Sequence, residues 1–296
     1  MSAKEFKTIE EQISILRNRG LDILDIEQAY YFLLHNNYYR ISGYSLTLRS
    51  NDVFHKNITF QNIIDIYNFD FELRHILLKY IEIIEVSFKS IYAYEFTKQY
   101  GATGYLNSEN FLDVQKHSEI IEKVKIQQNK RLPHEPYLKH FIDKLKQEVS
   151  LWAYVDLLTI SDISFLYKIS RINIKQAVAE RFNIIIKGPE LLVKFMHSMT
   201  IIRNLCAHGV RIYNRLFEQK PSLNKKQLQI LRKDQDGLVD NAHLFGFLLI
   251  MQRLLKEEDF TAMFNNIYSI YTKYSFVKMS NYGFPDNWID LFITHK

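Results

Sequence analysis

An all-α fold is what this sequence predicts, and three observations predict it. The longer apolar patterns recur at helical spacing: Leu73, Leu77, Tyr80, Ile84, Phe88 and Ile91 step by 4, 3, 4, 4 and 3, which places them on one buried stripe. Only 9 Gly and 5 Pro occur in 296 residues, too few for the repeated tight turns of a β-sandwich or barrel. Hydrophobic residues make up 47% and charged residues 24%, the balance of a folded chain rather than a disordered one. The 19 Tyr and 21 Phe serve core filling first and base stacking second.

In chain order, residues 8–19 and 25–36 read as two short helices around a Gly20 turn, with Asp25 as an N-cap. A helical hairpin packed on the body is the expectation. The alternative, a DNA-reading pair, would want several Arg, Lys or Asn on its second helix, which shows Tyr, Leu and Phe instead. Residues 38–44 read as an aromatic turn whose Arg40 makes a structural hydrogen bond or touches phosphate. The longest helix covers about 60–98, with Arg74, Glu82, Glu85 and Lys89 off the buried stripe. Arg74 and Glu85 point within about 20° of each other on a helix. That face is either a row of exposed ion pairs or an acid facing the segment 203–208.

Residues 99–110 read as a loop, 111–130 as a polar helix, and Pro133 and Pro136 as a break. The pattern resumes over 137–158, turns at 160–164, and continues helical at 175–182. Pro189 then opens the helix that carries the central segment. After Phe217 the chain is polar and lysine-rich to Lys226, with Asp234-Gln235-Asp236-Gly237 beyond, and reads as a solvated connection. Helical patterns at 240–257 and 260–274 precede the tail Gly283-Phe284-Pro285-Asp286-Asn287-Trp288.

The chemistry concentrates in Arg203-Asn204-Leu205-Cys206-Ala207-His208-Gly209. Leu191, Phe195, Met199, Ile202 and Cys206 face the core, and Asn204 lies almost opposite Ile202. If the helix continues, His197, Asn204, His208, Arg211 and Arg215 fall within about 60° of one another. Arg203 sits about 100° from Asn204, on the flank. Three arrangements would let it work with His208: its side chain curls round, Gly209 ends the helix and re-aims the imidazole, or a symmetric partner supplies a second copy. These residue types suit RNA cleavage. Histidine titrates near neutrality and can move the protons of 2′-hydroxyl attack, and arginine forks onto phosphate oxygens. Nothing suggests a metal ligand set or a cofactor.

Composition narrows the setting. A net charge of +5 and a pI near 8.9 tilt weakly toward an anionic partner. Cys206 is the single cysteine, so no internal disulfide or cysteine-based zinc site is expected. No apolar leader follows Met1, and the run 244–255 is about half the ~20 residues of a spanning helix. A cytoplasmic protein with no membrane partner is expected.

Arg203-Asn204-x-x-Ala207-His208 resembles the Arg-x4–6-His signature of the HEPN superfamily, small α-helical proteins that often act as metal-independent endoribonucleases. The wider chain resembles the bacterial abortive-infection (Abi) group of the AbiD/AbiF type. The matching stretches are Glu11-Gln12 with Arg19-Gly20-Leu21, then Asn37-Tyr38-Tyr39-Arg40-Ile41-Ser42-Gly43-Tyr44, then Tyr67-x-Phe69-Asp70-x-Glu72-Leu73-Arg74 with Glu82 and Glu85. Leu151-Trp152, Asn214-Arg215 and Gly283-Phe284-Pro285-x-Asn287-Trp288 continue the likeness, whereas Asp156 follows the acidic position expected after the Trp only loosely.

The resemblance implies a phage-defence or toxin-like protein acting on RNA, as a substrate or as a bound non-coding RNA. It also implies a homodimer with one composite site and raises an antitoxin partner. By that resemblance Arg203, Asn204 and His208 form the site. Arg74, Glu82 and Glu85 stand behind it, and Arg40, His197, Arg211, Asn214 and Arg215 serve RNA binding or support. The implied organisation is an N-terminal helical region (1–58), a HEPN-like helical core (59–217), a polar connection (218–239) and C-terminal helices packed on the core (240–296).

Overall fold

The computed structural model describes residues 5–233 and 237–292. Residues 1–4, where the leader was sought, and Asp234-Gln235-Asp236 lie outside them. The described chain is all-α, with fourteen α-helices and one two-stranded hairpin. The first helices are α1 (Ile9–Asn18), α2 (Ile26–Asn36) and α3 (Tyr38–Tyr44), followed by strands β1 (Arg49–Ser50) and β2 (Val53–Phe54), paired antiparallel. Thr8 and Glu11 close a capping box on α1, and Asp25 accepts from the Gln28 amide to cap α2. The aromatic stretch 38–44 is a helix rather than a turn, because the Asn37 side chain caps it and Ile41 and Tyr44 are buried beneath it.

The axis is α4 (Phe60–Tyr100), 41 residues long and capped by Thr59. Its predicted stripe is in the core: Leu73, Leu77, Tyr80, Ile84 and Phe88 are buried and Ile91 is half-buried. Next come α5 (Val114–Arg131), α6 (Pro136–Lys139), α7 (Leu151–Tyr154), α8 (Ile160–Ile169) and α9 (Ile172–Arg181). Residues 137–158 do not make one helix. A π-turn follows α6, and Lys146 adopts a positive φ of 54°, which no helix interior accepts. The expected turn at 160 is the first turn of α8, where Thr159 and Asp162 close a capping box.

The remaining helices are α10 (Gly188–Ala207), α11 (Lys225–Ile230), α12 (Leu244–Leu254), α13 (Glu257–Lys273) and α14 (Trp288–Phe292). The lysine-rich stretch holds α11, anchored where the Gln227 amide donates to the Leu249 carbonyl at 2.9 Å. Both α10 and α13 pack along α4. Just before α10, Arg181 pairs with Glu95 and Phe182 meets Phe88; just after it, Ile212 reaches Asp70. Helix α10 therefore runs antiparallel to α4. Among the described residues no helix is long and apolar enough to cross a membrane.

Candidate functional site

Helix α10 buries Phe195, Met199, Ile202 and Cys206 as the spacing predicts, with Leu191 half-buried at the margin. His197 is exposed on the other side, Asn204 is half-buried and His208 is exposed. Arg203 does not extend away from this face. Its Nη1 donates to the Asn204 side-chain oxygen at 3.2 Å, one turn before His208.

The helix ends at Ala207, and Gly209 is the cause. His208 is the C-cap, Gly209 takes a φ of +64°, and two bonds close the turn: Gly209 N–H to the Cys206 carbonyl at 3.1 Å and Val210 N–H to the Leu205 carbonyl at 2.9 Å. That is the Schellman pattern, which needs a left-handed residue one place after the cap. The helix thus stops before Gly209, and the Arg203 guanidinium bends onto Asn204. Arg211 and Arg215 consequently leave the helical stripe. Arg211 donates to the Tyr213 carbonyl, and the Arg215 guanidinium lies 5.9 Å from the Phe217 ring. Asn214 has a positive φ of 48° and donates its N–H to the Asn281 carbonyl at 3.0 Å.

Two further arginines brace the turn. Arg40 is exposed on α3, donates to the Gly209 carbonyl at 2.7 Å and lies 5.5 Å from the Tyr67 ring. Arg74 is buried at 2% exposure and is ion-paired with Asp70, itself 0% exposed. Asp70 also accepts from Tyr44 Oη at 2.8 Å, Tyr282 Oη at 3.1 Å, Ile212 N–H at 3.3 Å and Tyr213 N–H at 2.8 Å. One carboxylate thus ties α3, α4, the strand of chain leaving His208 and the turn before α14. Burial pushes the Asp70 carboxyl above its ordinary value, and Arg74, Tyr44 and the two backbone donors work against that push. Burial also pushes the Cys206 thiol up to about 12, so it is a neutral packing group on the core side of α10.

Arg74 and Glu85 share a direction but not a depth. At Arg74 the 210–213 segment and Tyr44 close over α4, whereas the half-buried Glu85 is paired with Lys89 at 2.8 Å. Glu82 is exposed. Neither acid bonds Arg203 or His208. Asp70 is the residue the sequence reading passed over as a functional group. Its signal was an acid inside an apolar run, between Phe69 and Leu73, with an arginine four residues on. Among the described residues no three His, Cys, Asp or Glu side chains gather as a metal site requires.

An α-helical bundle carrying an Arg–Asn pair and an exposed imidazole at the end of a core helix is an all-α protein with a polar site at a helix stop. A family model described as Abi-like protein matches residues 31–214, more than half of the 296 residues. The chain belongs to the Abi-like family, which connects it with abortive-infection phage defence. The match spans Arg40, Asp70, Arg74 and the whole of Arg203–Asn214. No curated protein and no solved structure matches the chain.

Proposed function

We propose that the protein is a HEPN-type endoribonuclease of an abortive-infection or toxin-like system of the AbiD/AbiF type, and that it cleaves RNA by 2′-hydroxyl attack without needing a metal. The observation that carries this reading is the linked Arg203–Asn204 side chains one turn before an exposed His208 on a braced turn. The 2′-oxygen gives its proton to a base and bonds to the adjacent phosphorus. The P–O5′ bond breaks, and the leaving 5′-oxygen takes a proton from an acid. The products are a 2′,3′-cyclic phosphate and a 5′-hydroxyl. Arg203 clamps the phosphate and stabilises charge that develops on it, and Asn204 positions the guanidinium.

One imidazole cannot be the unprotonated base and the protonated acid in the same instant. Two His208 side chains from a homodimer supply both, which is why the reading includes a composite site. In the cytoplasm such an activity requires restraint, so an antitoxin or inhibitory partner belongs to it.

The test is incubation with RNA in EDTA. Loss of His208 (His208→Ala) should slow cleavage by about 10²–10⁴-fold, and Arg203→Ala should also cripple it. Cleavage unaffected by either substitution overturns the reading. A second reading is favoured by one observation: among the described residues no hydrogen bond orients the His208 imidazole, while Arg40 bonds the turn and Arg203 and Arg211 flank it in the chain. These cations suit a module that holds a structured or small non-coding RNA without turning it over. Salt-sensitive RNA retention that survives His208→Ala, with no products, selects that second reading.

A further inference from the structure

Two large aromatic residues stand open at the far end of α4. Trp152 is 55% exposed and Tyr94 60% exposed, whereas Trp288 is 3% exposed. They line one groove of about 700 Å³ between the C-terminal half of α4 and the α7 turn, together with Val86, Ala93, Thr97 and Asp156. The Thr97 side chain forms part of the floor between them.

The rim is cationic. Lys98 lines the groove, and Arg131 reaches it by donating to the Asp156 carbonyl at 3.3 Å. Neither is ion-paired with a carboxylate among the described residues. Arg181 lies 5.7 Å from the Tyr94 ring. Aromatic faces beside unpaired cations, with a carboxylate between them, match a nucleobase and its phosphate. An apolar helix would cover the rings but would leave the two cations without a counter-charge.

We propose that this groove holds an unpaired base of single-stranded RNA, stacked on Trp152 and Tyr94, with its polar edge on Asp156 and its phosphate near Lys98. The inference rests on the RNA-directed reading above and adds a subsite to it. The exposed Tyr94 of the groove lies 24 residues along α4 from Asp70. That separation is about 36 Å along the helix, within reach of one strand given footprints of roughly 4–16 nucleotides per binding module. In a duplex the base faces are stacked on their neighbours and the base edges are paired, so duplex RNA is excluded from the groove.

The experiment titrates the full chain with a 16-nucleotide 2′-O-methyl single strand, which lacks the attacking hydroxyl and stays intact. Tryptophan fluorescence and oligonucleotide anisotropy are read together. Stacking quenches Trp152, and Trp152→Ala or Tyr94→Ala weakens binding by about 5- to 150-fold. Trp152→Phe keeps most of the affinity, and Lys98→Ala lowers the salt slope by about one. All three positions are at the surface, and an unchanged thermal midpoint confirms the fold of each variant. Equal affinity for wild type and Trp152→Ala overturns the groove assignment and leaves the RNA-directed reading standing. A wild type that retains no strand at low salt overturns both. A dimer lost on Trp152→Ala in sedimentation, with strand affinity unchanged, gives the groove to a second copy and overturns the proposal.

Discussion

Replacing Asp70 with asparagine removes the one charge that Arg74 meets inside the protein. The amide keeps an oxygen for some of the five donors but turns N–H groups toward others, so either the Arg74 guanidinium and the Ile212 amide, which share one oxygen, or the Tyr213 amide loses its acceptor, and in both cases Arg74 loses its counter-charge. Breaking a buried ion pair on one side costs about 3–5 kcal/mol, because the remaining charge stays buried and unpaired. For a chain of this size each kcal/mol lowers the thermal midpoint by about 2–3 °C, so Asp70→Asn should fall by roughly 6–15 °C. The loss should also be local. Amide exchange at Ile212 and Tyr213 should accelerate more than at Leu77 or Ile84, deep in α4. A double-mutant cycle separates the pair from the packing: Arg74→Met should cost much less in the Asp70→Asn background than in the wild type. A drop below 2 °C with unchanged exchange at Ile212 and Tyr213 refutes the idea that Asp70 holds the segment leaving His208.

Three further outcomes are expected. Gly209→Ala forces a Cβ into a left-handed position at a cost of about 1–2 kcal/mol; the added atom would lie 3.6 Å from Arg40 Nη2, an ordinary contact, so the penalty is conformational. Gly209→Asn should recover part of the loss in thermal unfolding, and equal losses for Ala and Asn would contradict this. Cys206, with its thiol pushed up to about 12 by burial, should resist alkylation at pH 8 in the native protein and react once denatured; rapid native labelling would refute its burial. Burial pushes the Asp162 carboxyl up, but hydrogen bonds from Lys123 and Thr159 outweigh it and hold the group below its ordinary value. Its contribution is therefore full above about pH 3.9 and is lost as pH falls through the depressed native value. Lys123→Met should move acid unfolding, followed by circular dichroism, to higher pH, and an unmoved profile would show that the pair does not matter.

The helices were legible where apolar spacing was long and regular, as on α4 and α10, because a 3.6-residue period survives any context. They were least legible where the period was short or interrupted. Residues 137–158 carry enough Leu, Phe and Tyr to read as one helix, yet Lys146 turns left-handed among charged neighbours and splits it. Tyr38–Tyr44 read as a turn because of Gly43, but that glycine makes room: a Cβ there would come within 3.2 Å of Arg211 Nε. A conformational signal and a packing signal look alike in a sequence.

The candidate site divides in the same way. Its residue types, the apolar side of α10 and the capacity of Gly209 to stop the helix are local properties, written within a few positions of one another. The bond from Arg203 to Asn204 was not legible in the spacing, which set the two about 100° apart. Asp70 belongs wholly to the tertiary structure. Its bonds to Ile212, Tyr213 and Tyr282 cross 142, 143 and 212 residues, and contacts at that separation leave no period in the chain. Burial decided the rest, since it turned an acid four residues from an arginine into the brace beneath the turn that presents His208.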